Sequence, residues 1–158
     1  MTLQRHFKAI VRARMRSTGE SYTIARGAVA AQLASVRMEP VATIEAHGRH
    51  CIAVRFTPDG RFLLSGGFGG QARLWSTNTW ARDGELVGHE ASVNAFAIDP
   101  EGRHVMTVSS DKTVRVWDLA TRTQRATLNH GGKPATCADL LPDGETAVTG
   151  GMDGRVRL

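Results

Sequence analysis

The chain has 158 residues, 41% of them hydrophobic, which supports a packed core and argues against wholesale disorder. No run approaches the roughly 18–20 apolar residues of a membrane span, and residues 1–18 hold neither an apolar signal-peptide centre nor a small-residue cleavage site. The net charge of +5 is unevenly spread: residues 1–38 carry seven Lys and Arg against Glu20 alone, a net +6, and residues 39–158 carry thirteen against fourteen acids, a net −1.

This break near Met38-Glu39-Pro40 marks the expected domain boundary. In the leader, residues 1–38, Leu3, Phe7, Ile10 and Val11 fall on one helical face with Arg5, Lys8 and Arg12 around it. Ser17-Thr18-Gly19 interrupts the pattern. Tyr22, Ala25, Val29, Leu33 and Val36 then form a second apolar stripe, with Thr18 or Ser21 as its cap. Two short helices with a basic face are compatible with a helix-turn-helix-like nucleic-acid binder. The plainer reading is a basic helical hairpin packed on a neighbour. An Arg-rich start, free of acids before Glu20, also fits a mitochondrial presequence, although a cytoplasmic protein is simpler.

From residue 41 onward the sequence repeats. Pro58-Asp59-Gly60, Pro100-Glu101-Gly102 and Pro142-Asp143-Gly144 recur at a spacing of 42, and His47–Trp75 and His89–Trp117 each span 28. GQARLW, KTVRVW and GRVRL align without gaps. The Pro-x-Gly tripeptides are turn chemistry, proline fixing φ and glycine accepting a positive one. Short β-branched or apolar runs flank them: Ile52–Phe56 and Phe62–Leu64, Val93–Ile98 and His104–Val108, Ala135–Leu141 and Thr146–Thr149. Thr113–Trp117 alternates as a half-solvated strand does. An opening strand is expected around Val41–Ile44. Short strands with a period near 42 predict four-stranded blades.

Gly88-His89 followed by Trp117-Asp118, in register with the other marks over residues 41–158, resembles the WD-repeat β-propeller family. The resemblance implies an all-β fold of about three four-stranded blades behind a short helical leader. It implies a hydrogen-bonded chain in each blade: His89, Thr107, Asp111 and Trp117 in the second; His47, Ser65 and Trp75 in the first, where Gly69 replaces the acid; Thr149 and Asp153 in the third. There Gly131 falls at the histidine position, with His130 one place early. The Asp-His-Thr set is read as structural and not catalytic, because nothing supplies an oxyanion site.

The implied function is a protein–protein interaction scaffold without enzymatic activity, cofactor or metal. Phe68, Ser110 and Met152, just before the aligned acid position, are the candidate partner contacts. The alternative is a nucleic-acid-associated protein that binds phosphate through residues 1–38. Ser65–Gly70 is no phosphate loop, since no Lys-Ser/Thr and no helix follow. Cys51 and Cys137 are expected as buried core thiols. Three blades fall short of the about 4–8 of a closed propeller. The chain is therefore expected to be a piece of a larger ring, or to self-associate through open blade edges.

Overall fold

In a computed structural model, residues 11–34, 42–141 and 143–158 are described. The readings on Leu3, Arg5, Phe7, Lys8, Ile10, Val36, the boundary at Met38–Pro40, Val41 and Pro142 lie outside them. The chain divides into two compact units, Met1–Thr43 and Ile44–Leu158.

In the first unit residues 11–18 are helical (α1) and a second helix follows, Tyr22–Ala34 (α2). Gly19 ends α1 in the left-handed region, φ +72°, and its N–H returns to the Met15 carbonyl at 2.9 Å. Val11, Ala25 and Val29 are buried against one another, with Met15 packed beside them. Tyr22, expected on that stripe, is exposed. It occupies the first position of α2. The Thr18 hydroxyl donates to the Arg14 carbonyl and accepts the Glu20 N–H, so it closes the end of α1 and does not cap α2. Among the described residues no helix is long and apolar enough to cross a membrane.

The second unit is three antiparallel sheets in chain order. Blade one is β1 (Cys51–Phe56), β2 (Phe62–Gly67), β3 (Ala72–Ser76) and β4 (Arg82–Leu86). Blade two is β5 (Val93–Ile98), β6 (His104–Ser109), β7 (Thr113–Asp118) and β8 (Thr123–Asn129). Blade three has three strands, β9 (Ala135–Leu140), β10 (Ala147–Gly151) and β11 (Val156–Arg157). The turn glycines Gly60, Gly102 and Gly144 take φ of +69°, +68° and +71°. Each donates its N–H three residues back, to Thr57, Asp99 and Leu141. The first two strands of every blade share a register shift at the same repeat position, between Cys51 and Ala53, Val93 and Ala95, and across Gly150 and Gly151. A bulge there bends the strand where the chain enters the blade.

Two apolar clusters join the blades. Leu64, Ala72, Leu74 and Leu86 of blade one pack on Val93, Phe96, Ile98, Val105, Trp117 and Leu119 of blade two. Ala97, Met106, Val108 and Val114 of blade two pack on Ala135 of blade three, with Ala138, Leu140 and Ala147 beside it.

Two expectations are corrected. Residues 42–46 form no strand. A strand needs an edge to pair with; here the Ala46 N–H turns back to Ile44 and the Ala46 carbonyl accepts Arg73. Cys51 and Cys137 are exposed, not buried. Each lies on the face of its blade turned away from the joining cluster, a distinction that a repeat alignment cannot draw without knowing which faces are covered.

Candidate functional site

The second blade assembles the complete set. His89 lies at the end of the loop before β5, Thr107 in β6, Asp111 in the β6–β7 turn and Trp117 in β7. The register places Val105 opposite Trp117 and Thr107 opposite Arg115, so the threonine and the indole share one sheet face. His89 Nδ1 lies 2.7 Å from Asp111 Oδ2, and its Nε2 lies 2.7 Å from Thr107 Oγ1. Trp117 Nε1–H donates to the same hydroxyl at 2.9 Å. The carboxylate accepts only, so Nδ1 carries the proton and Nε2 accepts from the threonine. Asp111 also accepts from Glu90 N, Thr113 N and the Thr113 hydroxyl.

Burial raises the Asp111 pKa, but the Thr113 hydroxyl, His89 and the two N–H groups outweigh it and hold the carboxyl at about 2. His89 is held below the ordinary imidazole range, by burial first, against the pull of Asp111 and with help from the positive Arg115. His47 is lowered too, by burial and then by Arg73.

In blade one His47 Nε2 meets Ser65 Oγ at 3.0 Å and Trp75 Nε1–H donates to it at 2.8 Å. At the acid position stands Gly69, with φ of +106°. In blade three the structure departs from the sequence reading: His130, not Gly131, fills the histidine place, with Nε2 3.1 Å from Thr149 Oγ1. The offset is absorbed by a turn in which Gly131 and Gly132 take φ of +73° and +78° and Asn129 Oδ1 accepts both N–H groups. Asp153 does not reach His130. Arg157 takes it at 2.5 Å, and His130 Nδ1 stays buried without a partner.

Arg73, Arg115 and Arg157 form a series that the sequence reading aligned but assigned no part. They sit at one repeat position of β3, β7 and β11. Two of them border the histidine of their own blade closely enough to disfavour its charge, and the third holds the acid. The signal was the spacing of 42; the missing knowledge was that the side chain turns towards the histidine.

Phe68, Ser110 and Met152 occupy equivalent turn positions, and each donates its N–H to the loop before the blade, at His50, Ser92 and Pro134. Phe68 and Met152 are exposed, at 43% and 70%, and the Phe68 ring meets that of His50 at a tilt of 58° with centroids 4.8 Å apart. Ser110 is half-buried and bonded to Asn94. In the leader, Arg14 forms a two-pronged pair with Glu20, at 2.8 and 3.2 Å. Among the described residues no group of His, Cys, Asp and Glu forms a metal site.

Two four-stranded antiparallel blades and a three-stranded third, joined face to face, with a complete His–Thr–Asp–Trp set in the second, define part of a β-propeller. The sequence profile of the "WD domain, G-beta repeat" family matches residues 38–76, 81–118 and 122–158, and the chain belongs to that family. It is 32% identical to Protein groucho of Drosophila melanogaster over 107 residues, 66% of this chain and 15% of that protein. It is 37% identical to Actin-interacting protein 1 of the same organism over 86 residues, 51% of this chain and 14% of that protein. It therefore spans a small part of these relatives. The β-propeller domain of Cps50 (Swd1) from Myceliophteria thermophila superposes with a TM-score of 0.68 at 23% identity, covering 74% of this chain and 36% of that one, which shows the fold.

The lowered pKa values of His47, His89 and Asp111 predict an acid response in two stages. The native state refuses protons on His47 and His89 that the unfolded chain takes up near 6.5, so stability falls as pH drops below that value. Each such group contributes at most about 1.4 kcal/mol per pH unit. The Asp111 contribution is intact above the unfolded carboxyl value and is lost as pH falls towards about 2. Urea midpoints are expected to decline between pH 7 and 5 in the native chain and less steeply in His89→Gln. Equal slopes would contradict the assigned burial of His89.

Proposed function

We propose that the chain is a protein–protein interaction scaffold, three blades of a larger propeller surface, and that partners are held at the turn ends marked by Phe68, Ser110 and Met152. The observation that carries this reading is the exposure of Phe68 and Met152 at equivalent turns, where bare apolar tips favour contact with another macromolecule. A backbone hydrogen bond fixes each tip to the preceding loop, so the tips are presented rigidly. That one relative is named for the protein with which it interacts agrees with a binding role.

A non-enzymatic role is supported by the environment of the hydroxyl. Thr107 is wholly buried, and its oxygen is engaged by both His89 and Trp117. A nucleophile needs a substrate-facing lone pair, which this threonine lacks. The set locks a loop to two strands.

Partner capture with a tagged chain tests the reading. The double variant Phe68→Ser, Met152→Ser is expected to lose the partners held by the native chain while its circular dichroism is unchanged. An unchanged set of captured proteins would place the contact surface elsewhere.

A further inference from the structure

The blades join through their faces, and a neighbour at a face leaves a turn end uncovered. Blade two is joined on both sides, through Val93 and Trp117 to blade one and through Met106 and Val108 to blade three, yet Lys112 in its β6–β7 turn is exposed. Phe68 belongs to a blade covered on one face, and it too is exposed. Charge is unevenly spread over the two ends of the blades. At the end that carries Phe68, Ser110 and Met152 the exposed cations are Arg49, Lys112, Lys133 and Arg155, against the exposed acids Glu45 and Glu90. The two acids within these turns are already engaged, Asp111 by His89 and Thr113, Asp153 by Arg157. At the opposite end, in the turns between first and second strands, Asp59, Glu101, Asp143 and Glu145 outnumber Arg61 and Arg103. A repeat region that carries a net charge of only −1 is thus divided into a basic end and an acidic end.

We propose that the basic turn end holds an acidic peptide segment of a partner protein, its carboxylates on Arg49 and Lys133 and its large apolar side chains on Phe68 and Met152. The proposal rests on the reading of the turn tips as the contact surface and adds the chemistry of the partner. The repeat ties each cation to an apolar tip. Arg49 and Lys133 are two repeats apart, so they hold one place in blades one and three. Each directly precedes the residue whose carbonyl anchors the tip. His50 accepts the Phe68 N–H at 3.2 Å, and Pro134 accepts the Met152 N–H at 3.0 Å. A cation and an exposed apolar side chain are therefore presented together, twice. In blade two the same places hold Ala91 and Ser110, and Lys112 supplies the charge from the turn itself.

Charges at the rim of a contact set the rate of encounter and the choice of partner more than raw affinity. The apolar tips would then supply the contact that desolvates, and the cations would exclude basic partners.

A polynucleotide is the other polyanion, and two features favour the peptide. Phosphates follow one another about every 3.4 Å along a strand and call for a run of cations. Here the cations are single, and two of the four stand beside an apolar tip. Glu45 and Glu90 are exposed at the same end, where they oppose an unbroken line of phosphates but leave room for spaced carboxylates.

The test uses the whole chain and a fluorescein-labelled peptide of glutamates interspersed with leucine and phenylalanine, its binding read by fluorescence anisotropy at low salt. Arg49→Glu with Lys133→Glu is expected to weaken binding by about tenfold or more, because like charges then face each other. The same peptide with glutamine in place of glutamate is expected to bind the native chain as weakly. Both substituted residues are exposed loop positions, so the circular dichroism of the charge-reversed chain is expected to match the native one. Arg12→Gln with Arg16→Gln, which removes exposed cations of the leader, is expected to leave binding unchanged. No binding by the native chain, equal binding by the charge-reversed chain, or a loss that follows the leader cations would each overturn the proposal. So would a single-stranded oligonucleotide that binds more tightly than the peptide and loses as much on charge reversal, since that outcome gives this end to phosphate. The tip reading fails separately. If Phe68→Ser with Met152→Ser loses its captured partners while the charge-reversed chain keeps them all, the contact surface stands and the acidic partner is wrong.

Discussion

Replacing Trp117 by alanine is expected to lower the stability of the three-blade unit by about 3–5 kcal/mol, the range for deleting a buried aromatic ring. The indole is 2% exposed. It fills the joint between blades one and two with Leu64, Leu74 and Val105 and meets the His89 ring edge-on at 6.4 Å. Its removal opens a cavity between two sheets whose backbones are each fixed by their own ladders, so collapse is limited. It also leaves Thr107 without the donor at its hydroxyl. Trp117→Phe separates the two effects. The phenyl ring keeps most of the volume but loses the N–H and the second ring, so about 0.5–1.5 kcal/mol is expected for the missing hydrogen bond, beside the packing loss of the smaller ring. Urea denaturation followed by circular dichroism measures both. A Phe variant as damaged as the Ala variant would mean that the hydrogen bond, and not the filling of the joint, dominates.

What was legible in the sequence follows a physical division. Blade architecture is local: turns, alternation and the spacing of 42 are written within each repeat, so the sheets and the clustering of His89, Thr107, Asp111 and Trp117 were readable. Properties that depend on a neighbouring blade were not. Cys51 and Cys137 have the small apolar neighbours of core residues, yet whether a strand face is covered depends on what stands beside the blade. The opening strand failed for the same reason, since pairing needs an edge. The His130 exchange was hidden because alignment counts residues, whereas two left-handed glycines change how many are needed to reach a place. Arg157 matched its relatives in position but turned to Asp153, a choice between two nearby partners that spacing does not encode. Of the two fourth strands, β4 buries Leu86 alone and every residue of β8 is exposed.

Asp111→Ala is expected to destabilise the chain far more than Asp83→Ala, although both remove one carboxylate. Asp83 pairs with Arg122 across the blades where both side chains are a third or more exposed. Such a pair is worth about 0–1 kcal/mol. The Asp111 side chain is 7% exposed and the His89 side chain 1%. Removing the acid leaves the His89 Nδ1–H only the Thr113 hydroxyl, 3.1 Å away, in a place water does not reach. It also frees the N–H groups of Glu90 and Thr113 that the carboxylate fastened across the blade entry. The penalty is about 1–3 kcal/mol for each buried group left unpaired. Asp111→Asn is expected to fall between. Its oxygen still accepts from Thr113, and its amide donates to Nδ1 if the imidazole moves its proton to Nε2 and donates to Thr107. That exchange keeps every buried nitrogen bonded and discards only the charge. The Asn variant should therefore lose the stability change between about pH 4 and 2 that belongs to the Asp111 carboxyl. Equal urea midpoints for the Asp111→Ala and Asp83→Ala chains at pH 7 would show that Asp111 does not hold the blade.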